Sequence, residues 1–128
     1  MNPTVSISWG ELIDRVTILE IKAARLSDDA ARARVARELA ALSEMAGSAV
    51  AREPRVLALK SALREVNETL WSIEDEIRQK EVRQQFDAEF IRLARAIYQN
   101  NDERGRLKRE INLLLQSDLG EEKQYTKY

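Results

Sequence analysis

Apolar positions recur along this chain at alternating intervals of three and four, the spacing that gathers side chains on one face of an α-helix. Leu12, Val16, Leu19, Ala23 and Leu26 form the first such stripe, and Ile13, Ile18 and Ile21 widen it until little of the helix is left to face water. The pattern predicts a central helix one. Ser8 stands before it with Glu11 three residues on, a capping box that satisfies orphan backbone donors. Helix two is predicted from an N-cap at Ser27, followed by Asp28 and Asp29, to about Ala46. Its stripe is Ala31, Val35, Leu39, Leu42 and Met45, with Gly47 placed to end it in a left-handed turn and Pro54 to open the next helix. Ala-rich as it is, this helix is expected to cover the others from outside.

The strongest pattern is the third. Val56, Leu59, Leu63, Val66, Leu70, Ile73 and Ile77 keep a strict three-four alternation across three heptads, a coiled-coil-like seam. It lapses from Glu81 to Gln85, where Phe86 and Asp87 supply a staple and cap for helix four, with Ile91 at stapling distance. Helix four either runs unbroken to Gln116, about 45 Å, or breaks between Asn101 and Gly105, since glycine costs about 1 kcal/mol in a helix interior. The continuous helix is the expectation. Val5 to Ser8 alternate like a short strand or form an extended lead-in, and the tail SDLGEEKQYTKY is aperiodic, loose unless its two tyrosines dock. The predicted architecture is all-α, one domain over residues 1–128: an antiparallel four-helix bundle with a long helix 3/helix 4 hairpin and helix one packed across it.

Composition narrows the chemistry. The 128 residues are long enough to bury about two-thirds of the unfolded surface, and 5% aromatic with 34% charged residues suits Leu, Ile and Ala interiors between amphipathic helices. Four Gly and two Pro imply few turns. Net charge is −1, with ten cations against eight anions in residues 1–64 and eleven against fourteen after them, so nothing draws the chain to nucleic acid or an acidic membrane. There is no cysteine and no histidine, which removes disulfides, thiol nucleophiles, the commonest general base and the usual zinc or iron ligand. No cofactor and no metal site are expected. The start MNPTVSISWGEL lacks a basic-then-apolar leader and no 18 apolar residues run together, which reads as a cytoplasmic protein.

Candidate binding residues come from breaks in the apolar stripes. In YQNNDERGRLKREIN, residues 98–112, the face shared by Ile97 and Ile111 passes through Asn101, Arg104 and Lys108. Beside the seam of helix three runs Asn67, Trp71, Glu74 and Arg78, spaced four, three and four, and helix one offers Glu11, Asp14, Arg15 and Lys22. If the three lines converge, the bundle holds cations, carboxylates and amides beside an indole, a site for a small anion. An interior Arg needs a carboxylate or an anionic ligand, and Glu74 and Asp14 are the available partners. The same residues also suit a solvated flank or a purely structural buried network.

Two enzyme readings stand beside this one. Glu65 and Glu68 form an ExxE pair with Glu74, Asp75 and Glu76 behind, similar to all-helical nucleotide pyrophosphohydrolases, but the companion ExxD, Glu11 to Asp14, precedes it. ELIDRVTILEIKAARL resembles the first helix of all-helical chorismate mutases, although the order of cationic ligands is not traceable. The basic run RGRLKR, residues 104–109, is offset by Asp102, Glu103 and Glu110 and reads as a solvated face.

Laid out in order, SWGELIDRVTILEIKAARL, LWSIEDEIRQKE, FDAEFIRLARAIYQNNDERGRLKREIN and EEKQYTKY resemble a small bacterial family, a numbered domain of unknown function. The resemblance spans nearly the whole chain and implies a helical fold and bacterial origin, with no substrate. That family's pattern favours Ala where Gly105 stands, in agreement with a continuous fourth helix. The function expected is a non-catalytic interaction or scaffold domain, a homodimer or partner of another protein, with a small anionic ligand in its polar pocket as a further option. The alternative is an enzyme acting on an anionic metabolite.

Overall fold

The structure is a computed structural model that describes residues 1–124 and 126–128. Four helices follow in order: α1 (Trp9–Arg25), α2 (Asp29–Arg52), α3 (Val56–Val82) and α4 (Ala88–Leu114). They form an all-α bundle. Helices α3 and α4 make the most extensive contact as a hairpin, α1 packs against both and against α2, and α2 barely touches α3. The core is built where α1, α3 and α4 meet, from Ile13, Val16, Leu63, Leu107 and Ile111, with Ala46, Ala49 and Val56 closing one end. None of the helices is long and apolar enough to cross a membrane, among the described residues.

Several local expectations are corrected. Of the two expectations for Val5 to Ser8, the strand does not form and the lead-in stands. The N-cap of α2 is Asp28, not Ser27, its carboxylate accepting from the Ala31 amide at 2.8 Å. Gly47 does not end α2. It sits in regular helix with open space around it, and α2 continues to Arg52. Because the helix runs on, its inward face continues from Leu39 and Leu42 to Ala46 and Ala49, and Met45 turns outward. Pro54 lies in a turn before α3 and is not its first helical residue. Phe86 packs edge-on against Phe90, centroids 5.2 Å apart, whereas the expected staple partner Ile91 is exposed.

Helix α4 passes through Asn101 to Gly105 without a break. Both α3 and α4 end on a glutamine in the left-handed region, Gln84 and Gln116, each with φ 54°. The Gln85 amide donates to Lys80 O and the Ser117 amide to Asn112 O, at 3.0 and 2.9 Å, so each end closes as a Schellman motif without glycine. In the tail, Tyr128 docks edge-on against Tyr98 and its hydroxyl donates to Asp102 at 2.5 Å. The other tail tyrosine, Tyr125, lies outside the described residues.

The start of α1 is fixed by α4. A helix leaves its first four amides without internal partners. Here Trp9 N donates to Ser117 Oγ at 2.9 Å, Gly10 N to Asn112 Oδ1 at 2.7 Å and Glu11 N to Ser8 Oγ at 3.1 Å, and the regular ladder begins with Leu12 N to Ser8 O at 3.1 Å. Gly10 makes this approach feasible. A Cβ there would stand 2.5 Å from Lys108 O and 2.9 Å from Asn112 Oδ1.

The three helical glycines therefore separate in their response to alanine. Gly10→Ala must push two backbones apart and is expected to cost about 1–3 kcal/mol. Gly47→Ala meets nothing within 4 Å, and Gly105→Ala meets only the flexible end of Arg109 at 3.4 Å. Each of those two should gain about 0.5–1 kcal/mol in urea unfolding, from better helix propensity and a stiffer unfolded chain. A loss at Gly105 would indicate that α4 needs flexibility at that turn.

Candidate functional site

Residues Gly10, Asp14, Thr17 and Ile21 recur at four, three and four along α1, so the face turned to α3 and α4 has polar groups in its middle. Asp14 is 1% exposed. Its carboxylate takes both a hydrogen bond from Arg104 Nε at 2.9 Å and one from Arg104 Nη2, the two-pronged pairing that a guanidinium suits. Asn67 Nδ2 on α3 donates to the same Oδ1 at 2.9 Å and to Thr17 Oγ1 at 2.9 Å, and Thr17 in turn donates to Asp14 O at 2.7 Å. One carboxylate thus joins three helices. Arg104 has its pKa raised above the ordinary arginine value, first by that hydrogen bond to Asp14.

One turn further along α4, Lys108 forms a second junction. Its ammonium lies 2.7 Å from Glu11 Oε2 on α1 and 3.2 Å from Glu121 Oε1 in the tail, and the residue is 8% exposed. Burial pulls its pKa down, but the hydrogen bonds it donates to Glu11 and Glu121 outweigh that and hold it above the usual 10.5. Another turn on, Asn112 receives Gly10 N and leaves its own Nδ2 buried without a partner. Arg104, Lys108 and Asn112 are thus successive rungs on one face of α4.

Beside the first junction lies a groove of about 320 Å³ between α1, α3 and α4. Ile18, Ile21 and Leu70 with the half-buried Trp71 form its apolar wall, while Asn67, Glu74, Asn101 and Arg104 bring polar groups to it. The three predicted lines therefore converge in part. Asp14, Asn67 and Arg104 meet in the buried junction. Trp71, Glu74 and Asn101 stand around the adjoining groove, and Lys108 holds the second junction.

The remaining three do not join them. Arg15 turns to the α2 side and pairs with Glu38, Nε to Oε1 at 2.7 Å. Arg78 is a surface group with its side chain 80% exposed, 3.4 Å from Glu74. Lys22 is half-buried on α1 but is no part of the groove wall. Sequence reading missed Thr17, Asn112 and Gly10. A small polar residue at each turn of an otherwise apolar face was the available signal, but Thr17 and Gly10 read equally well as tolerated fillers.

The basic run disperses for a geometric reason: positions 104 and 108 share a face, and 106 does not. Arg106 binds Glu103 and Glu110 on the outer side. The ExxE residues are spread as well, Glu65 exposed and Glu68 3.4 Å from Arg64. No group of three metal-ligating side chains forms among the described residues.

A lysine whose pKa is raised on folding contributes stability below its unfolded value, and that contribution fades as pH climbs through the higher folded value. Lys108→Met should therefore be destabilised relative to the parent at pH 8, and the gap should narrow above about pH 10.5. Urea unfolding of both proteins between pH 8 and 11.5 checks this; a gap independent of pH would mean that Lys108 acts only through its packed stem.

Comparison with known proteins adds the lineage and no chemistry. No curated protein and no solved structure matches the chain. Residues 3–127 match a family model described as Family of unknown function (DUF6165), and with nearly the whole chain covered, this protein belongs to that family.

Proposed function

We propose that the chain is a non-catalytic helical interaction domain, a single unit that works as a homodimer in the bacterial cytoplasm. The observation that carries this reading is the division of labour between inside and outside. The charges of the polar stripe are largely spent on one another, Arg104 on Asp14 and Lys108 on Glu11 and Glu121. Large apolar groups, by contrast, stand in water at the closed end of the α3/α4 hairpin: Val82 is 84% exposed, and Phe86 and Ile91 are more than half exposed. Three such side chains within ten residues favour a covered face over scattered surface residues. A two-fold axis across the hairpin end would bring each patch onto its copy.

A second reading, a small ligand in the groove, draws support from Arg104 and Trp71 lining the same groove. It predicts a ligand-dependent rise in melting temperature, about 2.7 kcal/mol of added stability at one hundred times the dissociation constant.

Sedimentation equilibrium tests the first reading. The parent is expected to be dimeric at tens of micromolar, and the doubly substituted Phe86→Asp, Ile91→Asp chain monomeric with its helical content unchanged, because neither side chain supports the core. A monomeric parent at that concentration would end the homodimer proposal.

A further inference from the structure

The groove beside Trp71 is balanced in charge, and that balance says what kind of molecule suits it. A guanidinium carries five N–H donors. Asp14 takes Nε and one donor on Nη2 of Arg104; three donors of the fork remain, on a side chain that is 30% exposed and borders both this groove and the cleft under the tail. Asn67 is committed through its NH₂ group to Asp14 and Thr17, which leaves its carbonyl oxygen as the acceptor it can offer. Glu74 lies on the same groove, with the exposed Arg78 3.4 Å away. The groove thus presents donors from α4 and acceptors from α3, on either side of an apolar wall that includes an indole.

Each of these charges already has a counter-charge: Arg104 has Asp14, and Glu74 has Arg78. A simple anion would add a net charge to a partly desolvated site next to Asp14 and Glu74, which is costly. A molecule with both charges would not. At about 320 Å³ the groove is at the small end of ligand sites.

We propose that this groove binds a zwitterion of amino-acid size with an apolar side chain, its carboxylate on the remaining donors of Arg104, its ammonium on Glu74, and its apolar part against Trp71 and Leu70. The proposal rests on the second reading above and names its ligand class. Trp71 is the natural reporter. The other tryptophan, Trp9, lies at the start of α1 under Arg52, whose guanidinium carbon is 5.2 Å from its ring centroid.

The test follows the Trp71 indole N–H resonance of the intact chain, assigned with Trp71→Phe, during titration with leucine and phenylalanine. Their amine analogues without the carboxylate and their acid analogues without the amine are titrated in parallel. The amino acids should shift this resonance saturably and leave that of Trp9 in place, and either truncated analogue should bind about tenfold more weakly, the loss of one charged hydrogen bond. Glu74→Gln should weaken amino-acid binding by a similar factor, while Arg34→Ala on the exposed face of α2 should not weaken it. Acids that bind as well as the amino acids would overturn the zwitterion assignment while leaving a ligand site in place. If no compound moves Trp71, the assignment and the ligand reading both fall.

Discussion

A carboxylate in the middle of a helix bundle cannot stay ionised by itself, and Asp14 puts one on the most buried helix of this protein. Its two oxygens are met by Arg104 from α4 and Asn67 from α3, and the Asn67 amide is shared with Thr17. These contacts tie α1, α3 and α4 at one height. A seam of Leu, Val and Ile such as that of α3 tolerates sliding by a heptad, because each heptad resembles the next. The polar junction does not, since a slip would leave a charge and an amide buried without partners. A buried ion pair adds little net stability compared with well-packed apolar groups. Its role here is to set register.

The other contacts follow from that register. With Asp14 opposite Arg104, Glu11 comes opposite Lys108 and Gly10 opposite Asn112, one rung after another toward the C-terminal end of α4. The close approach at Gly10 and the capping of Trp9 N by Ser117 complete the series. Helix α2, outside this ladder, holds on through small residues, Ala46 and Ala49, and much of its surface is wet. The groove beside Trp71 is lined by Asn67 and Arg104 of the same junction.

Much of this was legible in the sequence, and the exceptions share a physical cause. The four helices, the continuous α4 despite Gly105, the caps at Ser8 and Asp87 and the central place of α1 follow from period and capping chemistry. The end of α2 did not, because glycine is tolerated inside a helix when packing on Ala46 and Ala49 continues past it. The Schellman ends at Gln84 and Gln116 were hidden because the residue that usually marks them is absent. For the site, convergence of Asp14, Asn67 and Arg104 was readable from phase alone. The outward turn of Arg15 was not: it is adjacent to Asp14, about 100° away around the helix, and only the position of α2 decides that it meets Glu38.

The register claim is tested most directly by a double-mutant cycle on Asp14→Leu and Arg104→Met, with unfolding free energies measured at pH 7. Removing Arg104 strands a fully buried carboxylate, whereas removing Asp14 leaves a guanidinium that can swing to water, so Arg104→Met should be the costlier, about 3–5 kcal/mol at pH 7. The double variant should lose well under the sum of the two singles. Equal and additive losses would contradict the account.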